Sequence, residues 1–145
     1  MFSLSTSIVI AADPRTVWNI LIDFEKYREW NPFIRSIEGR PAIGARLSVF
    51  LQPAGTKGMR FKPKILELSE EDRIRWLGRL WFPGLFDGEH SFTITKNSDG
   101  TVRFMQEETF RGVFVPLLRK SLENDTKRGF EEMNRALKAR SEKER

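Results

Sequence analysis

The chain has 145 residues, 39% hydrophobic and 31% charged, with a formal net charge of +5, proportions that suit a globular domain with a core of its own. It contains no cysteine and one histidine, His90, which excludes disulfides, iron–sulfur and zinc–cysteine sites, thiol nucleophiles and multi-histidine metal centres. Twelve Phe stand against a single Tyr, so apolar volume is supplied largely without polar tips that need partners.

The length reads as one domain over residues 1–145. No stretch approaches the roughly 20 apolar residues that a spanning helix needs. The opening "MFSLSTSIVIAADP" lacks a basic segment ahead of its short apolar run, so it reads as a first strand and not as a secretory leader. Together with the missing cysteines this fits a cytoplasmic protein, and no cofactor or metal is expected.

In "FSLSTSIVI", Phe2, Leu4, Thr6, Ile8 and Ile10 alternate with mostly small polar residues, the period of a half-buried strand. Asp13 and Pro14 then supply an N-cap and a first helical residue. Val17, Trp18, Ile20 and Leu21 give that helix its apolar side. Asp23 is expected to cap a second short helix over Phe24–Trp30, which Pro32 ends by forcing Asn31 out of the helical region.

From Phe33 to Gly112 the chain reads as strands and turns. "FIRSIEG", "ARLSVFLQP", "MRFKPKILEL" and "RIRWLGRLWF" each alternate, and Pro63 inside the third predicts an edge or a bulge. "WFPGLFDG" is a Gly/Pro-hinged loop carrying Trp81, Phe82, Leu85 and Phe86, either a lid or a well-packed loop. The paired-glycine loops around Gly39–Gly44 and Gly55–Gly58 lack phosphate-cradle spacing and are turns.

The hairpin around "NSDG" is the most informative element. A three-residue loop over Ser98–Gly100, with Gly100 left-handed, pairs Asn97 with Thr101. That register sets Ile94 opposite Phe104, Phe92 opposite Gln106 and His90 opposite Glu108 on one face. Asp87–Arg111 and Thr95–Arg103 fall on the other. A two-residue turn would set apolar residues against the wrong neighbours. The remainder, from Pro116, predicts one long helix with a buried stripe of Leu118, Leu122, Thr126, Gly129, Phe130, Met133 and Leu137. Gly129 in mid-helix loses about 1 kcal/mol relative to Ala, which predicts a close approach or a void beside it.

Several stretches carry a resemblance: "ADPRTVWNILIDFEKYREWNPFI", "RIRWLGRL", "GEHSFTI" with "FMQEETFRG", and "RGFEEMNRALKAR". In that order, and over nearly the whole chain, they resemble the START-related superfamily often labelled SRPBCC, which includes polyketide cyclase/dehydrase-like and lipid-transport proteins. The resemblance implies an α+β helix-grip fold: a strongly bent antiparallel sheet of about seven strands, two short helices, and one long C-terminal helix over an internal hydrophobic cavity. It supplies no catalytic motif that transfers residue by residue.

A cavity of that kind gives the residues a use. The wall implied by the resemblance is Trp30, Phe33, Phe61, Trp76, Phe86, Phe92 and Phe104, with Phe130 and Met133 from the helix and His90, Gln106 and Glu108 as polar spots. Trp30 and Phe33 are expected at the cavity mouth. His90 and Glu108 are candidates for catalysis, because a carboxylate beside an imidazole orients it and raises its basicity. The same pair can instead satisfy itself and fix the strand register, and no nucleophile accompanies it.

The expected partner is therefore a hydrophobic small molecule carrying one polar head, held for transport, sensing or sequestration. Rival readings are a cyclase- or dehydratase-type enzyme using His90 and Glu108, and an interaction module with an incidental cavity. Arg60, Lys62, Lys64, Arg73, Arg75 and Arg79 form an outer basic stripe without interleaved aromatics, unlike a nucleic-acid surface. Contact of that stripe with an anionic membrane surface is left open, and so is the oligomeric state.

Overall fold

A computed structural model describes residues 1–80 and 84–144. The elements follow in the order β1 (Phe2–Ile10), α1 (Pro14–Ile22), a 3-10 turn (Phe24–Lys26), α2 (Tyr27–Trp30), β2 (Ile34–Glu38), β3 (Ser48–Leu51), β4 (Met59–Phe61), β5 (Lys64–Ser69), β6 (Arg73–Leu80), β7 (Phe86–Lys96), β8 (Val102–Arg111), α3 (Val115–Ser121), a π-helical turn (Leu122–Thr126) and α4 (Lys127–Glu144). This is the expected α+β helix-grip arrangement. Its strands form two antiparallel sheets, β1-β8-β7-β6-β5 and β2-β3-β4. Among the described residues the strands number eight, in line with the expected seven or so, and they divide between the two sheets. Pro63 is the reason: it has no N–H to give a ladder, so "MRFKPKILEL" breaks into β4 and β5, which belong to different sheets. The Pro63 carbonyl accepts from the Leu47 N–H at 2.8 Å, and an isolated Arg46–Lys64 bridge sits at the same corner.

The hairpin register is the one read from its faces. Asn97 N–H donates to the Thr101 carbonyl at 2.8 Å, and Gly100 has φ +90°. Ile94 faces Phe104, Phe92 faces Gln106 and His90 faces Glu108. β1 extends these rows: Leu4 beside Glu108, Thr6 beside Gln106 and Ile8 beside Phe104. β6 extends them the other way, with Trp76 beside His90 and Ile74 beside Phe92. The inner face of the large sheet is thus a grid whose rows are known residue by residue.

Asp13 caps α1 through a 2.8 Å bond from the Thr16 N–H, and that bond holds its carboxyl below the usual carboxylate range. Asp23 makes no side-chain cap; its backbone carbonyl accepts from the Lys26 N–H at 3.1 Å, and the expected second helix is a 3-10 turn followed by the short α2. Asn31 is extended, as Pro32 requires. Its buried side-chain oxygen accepts from the N–H groups of Phe33 and Ile34 at 2.9 and 2.8 Å, which turns the chain inward. Tyr27 is buried and donates to the Leu21 carbonyl at 2.6 Å, and burial raises its phenol above the usual tyrosine range.

The C-terminal helix departs from the expected single stripe. α4 buries Gly129, Phe130, Met133, Asn134, Leu137 and Ser141, but Leu118 is 37% exposed and neither Leu122 nor Thr126 is buried. The π turn over 122–126 inserts extra backbone between the halves, so their apolar faces no longer share one line. The close approach expected at Gly129 is to a side chain: a Cβ built there would lie 2.3 Å from Phe33 Cδ1. Among the described residues, no helix is long and apolar enough to cross a membrane.

The contact at Gly129 sets two effects against each other. Alanine would gain about 1 kcal/mol of helix propensity, while forcing a buried ring away from a 2.3 Å overlap destabilises by about 1–3 kcal/mol. Gly129→Ala should therefore lower the thermal midpoint, and adding Phe33→Leu should recover part of the loss. A midpoint raised by Gly129→Ala alone would contradict this packing.

Candidate functional site

The grid on the large sheet has one row with missing side chains. Gly78 on β6 pairs with Gly88 on β7, which pairs with Phe110 on β8. Two adjacent strand-interior glycines remove the Cβ atoms that would fill the space beneath the helix, and strand glycines commonly mark close approach of another group. At Gly78 that group is the Phe61 ring, 2.9 Å from a hypothetical Cβ. At Gly88 it is the Glu108 carboxylate, with Oε2 at 2.7 Å.

A cavity of about 320 Å³ lies above this row, within the roughly 300–1,000 Å³ of small-molecule sites. The large sheet lines it with Trp76, Gly78, Phe86, Gly88, His90, Glu108 and Phe110. The small sheet and the chain leading into it give Phe33, Leu51, Met59 and Phe61. α3 and the π turn close the far side with Leu118, Ser121, Leu122 and Thr126. Met59, Leu118 and Ser121 are exposed and form the rim.

His90 and Glu108 stand at the inner end, joined Nδ1 to Oε1 at 2.9 Å, with side chains 5% and 17% exposed. The imidazole stacks on Phe92 at 4.2 Å and 17°, and Phe130 lies 4.8 Å away. Its other nitrogen, Nε2, is 3.0 Å from Gln106 Oε1. Gln106 Nε2 donates to the Phe130 carbonyl at 3.2 Å and to Asn134 Oδ1 at 2.7 Å. Asn134 Nδ2 donates to Thr6 Oγ1 at 3.0 Å. One buried chain of hydrogen bonds therefore runs from the cavity floor across β8 and α4 to β1.

Of the residues expected in the wall, Phe33, Phe61, Trp76, Phe86, His90 and Glu108 meet at the cavity. Phe92, Phe104, Gln106, Phe130 and Met133 are buried beside or behind it, as core and polar support. Trp30 does not line it: the short helix turns its ring onto Tyr27, 5.0 Å away, and only the inward turn at Asn31 brings Phe33 to the cavity. Phe33 is itself 2% exposed, so it forms inner wall and not mouth. In the loop read as either a lid or a well-packed loop, Trp81 and Phe82 lie outside the described residues, while Phe86 is buried in the wall against Phe110.

The sequence reading missed the glycine pair, Leu51, Met59, Phe110 and the α3 and π-turn residues. The glycines were detectable, since both interrupt otherwise apolar strands. The basic stripe is partly neutralised: Arg75 lies 3.3 Å from both Glu67 and Glu89, Arg73 is 3.9 Å from Glu67, and Arg79 is 3.8 Å from Asp87. Among the described residues, no three His, Asp or Glu side chains converge as metal ligands.

Over residues 1–142 the chain matches the family described as polyketide cyclase / dehydrase and lipid transport, and it belongs to that family. No curated protein matches it by sequence. Among solved structures it is similar to a Helicobacter pylori protein, with TM-score 0.80, 20% identity, and 97% of this chain and 88% of that one covered. A START superfamily protein from Mycobacterium smegmatis gives TM-score 0.74 and 23% identity, with 99% of each chain covered. A di-domain ARO/CYC protein of the steffimycin biosynthetic pathway gives TM-score 0.75 and 14% identity, with 98% of this chain and 51% of that one covered. Identities this low carry the fold and no more.

Gln106 is the junction of the buried chain. Gln106→Leu would strand His90 Nε2 and Asn134 Oδ1, each unsatisfied group destabilising by about 1–3 kcal/mol, while the Phe130 carbonyl stays in the helical ladder of α4. Urea unfolding should show a loss of about 2–4 kcal/mol. A loss under about 1 kcal/mol would mean that water replaces the amide freely.

Proposed function

We propose that this protein binds a hydrophobic small molecule in the cavity, a lipid, isoprenoid or polyketide-like compound, for transport, sensing or sequestration. The observation that carries the reading is the apolar hollow of about 320 Å³ with one polar pair at its inner end. Removing apolar ligand surface from water is worth about 25 cal/mol per Å², so such a hollow can hold a greasy molecule without further chemistry. The volume also speaks against an incidental void, since a water molecule takes only about 30 Å³.

A cyclase- or dehydratase-type activity is the second reading, supported by the family and by the His90–Glu108 pair. What weighs against His90 as a general base is its bonding: Nδ1 faces Glu108 and Nε2 faces Gln106, leaving neither nitrogen to reach a substrate proton.

Native mass spectrometry of freshly purified protein tests binding directly. The expected result is a discrete adduct that is released on denaturation and lost in Leu122→Trp, which fills the hollow from the helix side. An adduct of equal occupancy in that variant would locate the ligand elsewhere and sink the reading. A clean mass for the unmutated protein would move the weight to the incidental-cavity alternative.

A further inference from the structure

The proton positions along the buried chain follow from its geometry, and they determine what the cavity floor offers a ligand. Gln106 Nε2 points at the Phe130 carbonyl, which can only accept, so Gln106 presents its oxygen to His90. His90 Nε2 therefore carries a hydrogen. The 2.9 Å contact between Nδ1 and Glu108 Oε1 needs one more hydrogen. If Nδ1 holds it, the pair is imidazolium and carboxylate; if Oε1 holds it, both groups are neutral. In either arrangement Oε2 has no hydrogen and is an acceptor.

That oxygen sits over Gly88, 2.7 Å from where a side chain would begin, and among the described residues no hydrogen bond reaches it. Among the described residues, no Lys or Arg lines the cavity. The hydroxyls on the helix side supply no counter-charge: Ser121 Oγ is 3.4 Å from Asp125 Oδ2, and Thr126 is neutral.

We propose that the cavity selects apolar ligands whose polar head donates a hydrogen bond, a hydroxyl or an N–H, to Glu108 Oε2, and that it rejects ligands headed by a carboxylate. This rests on the binding reading above and narrows it: fatty acids and other apolar acids are disfavoured, while alcohols and phenols are favoured. The physical cause is that a buried acceptor left facing a second acceptor is unsatisfied, whereas one meeting a donor gains a bond in a low-dielectric site.

Isothermal titration with 2-naphthol, 2-methoxynaphthalene and 2-naphthoate at neutral pH tests this, since the three share one frame and differ in the head. A single hydrogen bond predicts about tenfold tighter binding of 2-naphthol than of 2-methoxynaphthalene. 2-Naphthoate should bind at least about tenfold more weakly than 2-naphthol. Glu108→Leu, checked for folding by circular dichroism, should reduce the naphthol preference to about twofold or less. Gly88→Ala gives the same readout without removing the carboxylate, because its methyl displaces Oε2; the preference should fall there too. If the unmutated protein binds all three alike, or binds the naphthoate most tightly, the head-group assignment is overturned and the binding reading stands. If it binds none of them, the head-group assignment falls, and the native mass spectrum decides the binding reading.

Discussion

A single buried amide holds the two layers of this molecule in register. Gln106 bonds at once to an imidazole on β7, a main-chain carbonyl of α4 and a side chain one turn further along the same helix. The surrounding contacts are aromatic and aliphatic, and such contacts constrain distance more than rotation. Directional bonds from one strand residue to two successive helical turns fix how α4 lies on the sheet. The position of the π turn, and with it the far wall of the cavity, follows from that placement.

The chemistry of the cavity floor is a by-product of the same arrangement. Because Gln106 is oriented by α4, it orients His90, and His90 in turn commits one oxygen of Glu108. His90 and Glu108 both line the hollow, but of their hydrogen-bonding atoms only Glu108 Oε2 is left uncommitted. A histidine in an apolar pocket invites a catalytic reading, yet here the imidazole is an interior link and the carboxylate is the contact surface.

Much of this was legible in the sequence. The turn at Asn97–Thr101 and the need to keep apolar residues on one face determine the β7–β8 register, and from it the His90–Glu108 pair. The cap at Asp13 and the helix stop before Pro32 follow from local stereochemistry. What could not be read depends on long-range placement. Pro63 announced a disturbance, but not that the chain would pass from one sheet to another there. The π turn has no residue signature, so Leu118, Leu122 and Thr126 looked like a continuation of the buried stripe. Trp30 was misplaced because periodicity puts aromatics on a common face without saying which neighbour claims them, and Tyr27 claims that ring.

The hollow itself is made by subtraction. Gly78 and Gly88 lie side by side in the middle of well-paired strands, each within the allowed range of any residue since neither has a positive φ. Backbone geometry therefore permits larger side chains at both positions. The buried cluster of Phe92, Phe104, Phe130, Met133 and Leu137 lies outside the lining. Phe33, Trp76, Phe86 and Phe110 serve both lining and core, whereas the two glycines shape the hollow without supplying core volume. A side chain at either glycine would have to push aside the Phe61 ring or the Glu108 carboxylate, so the chamber's size and the direction of its polar atom are set by the same two positions.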